Sequence, residues 1–348
     1  MGGSHYGKSA PVAGNKVLNI QIDETTRDQN RHSKLWLMRN CCYIHRWTVA
    51  IFAISISLLL GGCGGGARSD PHPTTGQIPV VAHVFVLVEE NHAYEDVIGN
   101  SAMSYTNTLA QQYSLATQYF ADRHNSLPNY FMLTLGDLVT TNDLFAGPVK
   151  SNTIVDALGT AGKTWKIYAE SLPSVGYVGD SIVPYAKDHN PFAYFTTVLN
   201  SSAQKANIVP LTQLPTDLQN GTLPDYAMIV PDLANDGHDC PGESSTCTDT
   251  DKLMNIDQWI SAHIGPLINN GVMQDSVLIY TWDESNINDL TNGGGHVATI
   301  LIGGKVRMGF KSTNMYQHQS TLKLTLQLLG ISDFPGAAAT APDMTEFF

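Results

Sequence analysis

Residues 82–88 read AHVFVLV and run directly into Glu89-Glu90-Asn91-His92. A short, almost continuous apolar run of this kind suits a strand covered on both faces. Such strands belong to parallel sheets flanked by helices, and ligands bind beyond their carboxyl ends. Outward from this stretch, further strand candidates lie at 164–168, 226–230, 276–282 and 297–302. Helical patterns lie around 105–112, 129–136, 153–161, 211–219, 251–269 and 317–329. The alternation predicts a single α/β domain over 81–348, with a mostly parallel central sheet and helices on both faces.

Composition narrows the function classes. The 348 residues are 43% hydrophobic, enough for a large core, and carry 31 acidic against 19 basic residues. The resulting charge of −12 excludes a partner bound by phosphate neutralisation, so no nucleic acid is expected. The apolar stretch Trp47–Leu60 is shorter than the roughly twenty residues that span a bilayer, and Arg39, His45 and Arg46 precede it. That layout is secretory. Its ending, Leu60-Gly61-Gly62-Cys63, resembles a bacterial lipobox. The resemblance implies a lipoprotein signal peptide over 38–62, starting at Met38, and a lipid on Cys63. It also implies export, with anchoring to the bacterial envelope on the periplasmic or outer side. An ordinary N-terminal membrane anchor is the alternative. Residues 1–37 are then a gene-model extension or disordered, and 63–80 a flexible tether. Removal of the leader leaves Cys240 and Cys247 for a small disulfide loop in an oxidising compartment, or as two free thiols.

Two acidic clusters end apolar strands: Glu90 with Asn91 after 82–88, and Asp283 with Glu284 after 276–282. Oxygen-rich groups of this kind suit a hard divalent cation (Mg, Ca or Mn), and nearby histidines keep Zn open. Each cluster alone reads equally as a solvated strand end. Between them lies His124-Asn125-Ser126-Leu127-Pro128-Asn129-Tyr130. Pro128 suits the first turn of a helix, which puts Ser126 at or just before its N-terminus. There a serine is either a cap or, given a base or metal, a nucleophile. His189, His238 and His296 follow apolar runs in polar surroundings. No G-x-S-x-G, Walker A sequence, H-E-x-x-H or C-x-x-C occurs.

Taken in order, VEENHAYEDVIGN (88–100), HNSLPNYFMLTLGD (124–137), KDHNPFAYF (187–195), PDLANDGHD (231–239), TWDE (281–284) with GGGHVATILIGG (293–304), and YQHQSTLKLTLQLLGI (316–331) resemble the bacterial phosphoesterase family of acid phosphatases and phospholipases C. That family is related in fold to the alkaline phosphatase superfamily. The resemblance implies metal ligands at Glu90, Asn91, Asp283 and Glu284, and a nucleophile at Ser126. It places His189, His238 and His296 about the phosphoryl group. Asp232 and His124 fall in a second shell or at a second metal. The expected activity is metal-dependent hydrolysis of phosphate esters through a seryl-phosphate, on a small ester or a phospholipid headgroup. A phospholipase C or phosphodiesterase with the same centre is the first alternative. A lipid-anchored binding protein without catalysis is the second.

Overall fold

The structure, a computed structural model, describes residues 76–242 and 244–348. The leader, Cys63 and most of the tether lie outside the described residues. Ten strands are present: β1 His83–Glu89, β2 Ser114–Ala116, β3 Tyr119–Phe120, β4 Trp165–Ala169, β5 Ile208–Pro210, β6 Tyr226–Val230, β7 Ser276–Trp282, β8 Thr299–Ile302, β9 Lys311–Ser312 and β10 Tyr316–Gln317. Eight of them form one sheet in the order β5-β4-β6-β1-β7-β8-β2-β9, while β10 and β3 pair separately. From β5 to β7 every pairing is parallel. The β8 strand runs antiparallel to both its neighbours. All five residues of β6 and all seven of β7 are buried, as strands under helices on both faces require.

Register brings the site together. Glu89 pairs with Trp282, and Leu87 with Ile229. The first residues past β1 and β7, Glu90 and Asp283, therefore fall side by side at one edge of the sheet. The segment leaving β6 enters the same edge, where the Asp236 carbonyl accepts from the Glu90 N–H at 3.0 Å. A crevice at the carboxyl ends of central parallel strands is where α/β sheets take ligands.

The helices depart from expectation at two points. The helix expected around 129–136 begins earlier, at Ser126, and ends at Leu135. The continuous helix expected at 251–269 is instead Asp249–Trp259, a π-turn over Ile260–Ile264, and a last turn Gly265–Ile268. Pro266 has no N–H to donate to the preceding turn, which accounts for the break. Cys240 and Cys247 are joined, with their Cα atoms 5.6 Å apart. No helix among the described residues is long and apolar enough to cross a membrane.

Candidate active site

The Ser126–Leu135 helix packs against the His318–Leu328 helix and delivers Ser126 to the strand ends. Ser126 is the first helical residue and Asn125 is the cap, so the hydroxyl is not spent on its own backbone. Asn125 has φ +80°, a left-handed conformation uncommon outside glycine, and its amide donates to Asp143 at 2.7 Å. Asp143 also takes the Leu127 N–H at 3.0 Å, which caps the helix from outside. Freed in this way, the buried Ser126 Oγ donates to Glu90 Oε1 and lies 3.4 Å from Glu284 Oε1.

Glu90 is fully buried and stands at the centre of two groups. Glu90, Asp283 and Glu284 each offer an oxygen, and these atoms lie within 4.8 Å of one another. Glu90, His189 and Asp236 form a second group by the same measure. His189 Nε2 is 2.9 Å from Glu90 Oε1, and its Nδ1 is 3.3 Å from Asp236 Oδ2. The imidazole stacks on Tyr130, ring centres 5.2 Å apart. Burial disfavours charge on both partners, but the pair outweighs it: Glu90 is brought down to about 2 and His189 is held well above its ordinary value. His238 joins from the solvent side, with Nε2 4.0 Å from Glu90 Oε2 and Nδ1 2.9 Å from Asp239. Burial lowers the His238 pKa, but Glu90 and Asp239 outweigh it and raise the net value.

The other arm lacks such compensation. Burial, then the charges of Glu90 and Glu284, push Asp283 well above the usual carboxylate range. Burial and Glu90 push Glu284 up to about 7. On this arm His124 meets Glu284, with Nδ1 2.5 Å from Glu284 Oε2, while His189 offsets the charge of Asp283 only in part. Asp283 Oδ2 has no hydrogen-bond donor among the described residues. Buried carboxylates crowded together with an orphaned oxygen are costly without a cation. The donor set fits one: the three carboxylates Glu90, Asp283 and Glu284 suit a hard divalent ion. The cluster could therefore hold a metal ion.

Among the remaining candidates, Asn91 sits at the edge of the cluster with φ +53°, and its amide donates to Glu90 Oε2 at 3.2 Å. Asp232 is not in the cluster. Its oxygens accept from Ser171, the Ala234 N–H and Asn235, which shape the turn after β6. Asp236, four residues on and absent from the sequence reading, faces His189 instead. The signal for it was its place two residues before His238 in the same segment. Gly237 between them has φ +99°, and a Cβ there would meet Ile256 at 2.7 Å and His92 at 3.0 Å. That position admits only glycine without displacing its neighbours. His296 is a second correction. Its ring nitrogens face Glu95 and the Thr117 carbonyl, both at 3.1 Å, and its ring lies against Tyr94 and Phe120. These contacts take both ring nitrogens, and His296 is not part of the Glu90 cluster.

Comparison with known proteins identifies the family. The family model described as the Phosphoesterase family matches residues 100–332. The acid phosphatase of Aspergillus fumigatus is 31% identical over 74% of this chain, and this chain spans 57% of its length. The phosphatidylinositol-3-phosphatase of Mycobacterium tuberculosis is 28% identical over 90% of this chain and 97% of its own. Relatives thus occur in fungi as well as bacteria. A Vibrio parahaemolyticus protein of the alkaline phosphatase superfamily superposes with a TM-score of 0.53 at 15% identity, over 78% of this chain and 72% of that one, a likeness of fold alone. The chain belongs to the Phosphoesterase family.

Proposed function

We propose that the protein hydrolyses phosphate monoesters with Ser126 as the nucleophile. The observation that carries this reading is a helix-start hydroxyl, relieved of capping, bonded to Glu90 inside a carboxylate cluster short of positive charge. Glu90, Asp283 and Glu284 would hold the divalent cation, which when bound supplies charge that lowers the pKa of a hydroxyl and offsets that of a phosphoryl group. Glu90 orients Ser126 Oγ for in-line attack. The Oγ–P bond forms as the bond to the leaving oxygen breaks, and water later releases phosphate from the serine. His189, held cationic between Glu90 and Asp236, stabilises charge on the phosphoryl oxygens. His238 stands half exposed at the mouth with a raised pKa, suited to give a proton to the leaving oxygen. The names of the curated relatives, phosphatases throughout, favour a monoester over the diester of a phospholipase C. Export belongs to the same reading and is supported by the Cys240–Cys247 bond.

The test is Ser126→Ala on p-nitrophenyl phosphate and its bis-ester. Monoester kcat/KM should fall at least about 1,000-fold with the melting temperature unchanged, as loss of a nucleophile demands. Acid-quenched wild type should carry phosphate on the peptide containing Ser126. A variant that keeps more than a few per cent of activity, or turnover that survives exhaustive dialysis against EDTA, overturns the assignment.

A further inference from the structure

Next to the cluster, a cavity of about 770 Å³ opens beyond His238. Its volume is that of small-molecule sites. Val183, Pro184 and Ala234 line it together with Ser244 and Lys252. His238 belongs to both places, since its Nε2 lies 4.0 Å from the Glu90 carboxylate that accepts the Ser126 hydrogen bond. A phosphoryl group at Ser126 would therefore direct its leaving group towards this cavity.

The wall carries a cation that forms no salt bridge among the described residues. Lys252, on the Asp249–Trp259 helix, donates to the His238 carbonyl at 2.6 Å. That takes one of the three ammonium donors. No carboxylate among the described residues lies within 4.0 Å of it, unlike Lys163, Lys166 and Lys323. Asp239, the acid in the same wall, is engaged by His238 Nδ1 at 2.9 Å. The disulfide closes the loop that brings Ser244 to the rim. Apolar side chains and a lysine in one cavity suit a leaving group with a carbon body and an anionic end.

We infer that this cavity is the leaving-group subsite, and that Lys252 makes the protein prefer phosphate monoesters whose leaving group carries a second negative charge. The inference rests on the hydrolytic reading above. Its test uses two esters of matched shape, 4-carboxyphenyl phosphate and 4-carbamoylphenyl phosphate. Wild type should favour the carboxylate, chiefly through KM. Lys252→Met should lower that preference about fivefold, the scale of a partly exposed charge pair, and Lys252→Arg should restore most of it. Equal treatment of both esters by wild type overturns the inference. So does a Met variant that loses activity on both in equal proportion, which would mark Lys252 as a prop for His238. If wild type hydrolyses neither ester, the hydrolytic reading fails instead. Calorimetric titration with the same esters then decides the subsite: tighter binding of the carboxylate that depends on Lys252 supports it, and equal affinities overturn it.

Discussion

Asp217 and Asp283 are both buried aspartates beside the same parallel sheet, in opposite surroundings. Asp217 accepts from Lys166 at 2.5 Å, Tyr168 at 2.7 Å and Thr222 at 3.0 Å. Burial pushes its carboxyl up, but these donors outweigh it and hold it below its ordinary value. Among the described residues, Asp283 accepts only the Glu284 N–H at 2.6 Å on one oxygen and nothing on the other. Burial and two like charges push it up. The satisfied acid is part of the scaffold. The unsatisfied one stores electrostatic cost that a cation would relieve, which is why the candidate site reads as a site rather than as packing.

The sharpest way to break this contrast is Asp283→Asn, which keeps the shape and removes the charge. Activity on p-nitrophenyl phosphate should fall at least about 100-fold. In the wild type, a saturating divalent ion should raise the melting temperature by a few degrees, because it binds the folded chain alone. The variant should lose that rise, yet be no less stable than wild type in EDTA, since neutralising one of three crowded carboxylates relieves repulsion. A variant that keeps both activity and the ion-dependent rise would mean Asp283 is as structural as Asp217.

How much of this could be read from the chain alone follows from the same physics. Glu90 and Asp283 were legible because each follows a long apolar strand, and parallel register sets strand ends level. The five long strands of the sheet were legible for the same reason. Strands β2, β3, β5, β9 and β10 span only two or three residues, too few for any period to appear, and long-range pairing alone defines them. Asp236 was hidden because its segment holds three aspartates, Asp232, Asp236 and Asp239. Which one turns inward depends on Asp232 taking the Ala234 N–H in a local turn, a choice the spacing does not carry. His296 sits after three glycines, where the backbone leaves the ring's direction open. Stacking on Tyr94 and Phe120, from elements remote in sequence, decides it.

Asp217→Asn approaches the contrast from the structural side. The variant leaves Lys166 and Tyr168 facing an amide in place of a carboxylate. It should cost about 1–3 kcal/mol of unfolding free energy by urea titration, within the range for breaking a charge-assisted buried pair. Activity should stay within about twofold, because none of these groups reaches the Glu90 cluster. A loss of activity larger than the stability change explains would join the two regions and undo their separation.

The smallest expected effect is the most specific, because the two acids demand pH slopes of opposite sign. Asp217 has a folded pKa below its unfolded value near 3.8. Its contribution is present above that value and lost as pH falls through the folded pKa. The gap between wild type and Asp217→Asn should therefore be constant above about pH 4 and close at lower pH. Glu284, in protein stripped of metal, has a folded pKa of about 7 against an ordinary 4.5. The folded state then holds the extra proton between these values, so its contribution is full below pH 4.5 and lost as pH rises towards 7. Stability in EDTA should fall across that window by less than about 1 kcal/mol per pH unit, and Glu284→Gln should flatten the slope. Saturating divalent ion should flatten it too, by fixing the carboxylate ionised at both ends of the window. A stripped wild type with no slope between pH 4.5 and 7 would mean that the crowded arm is already compensated from within, and the case for a cation at Asp283 and Glu284 would go with it.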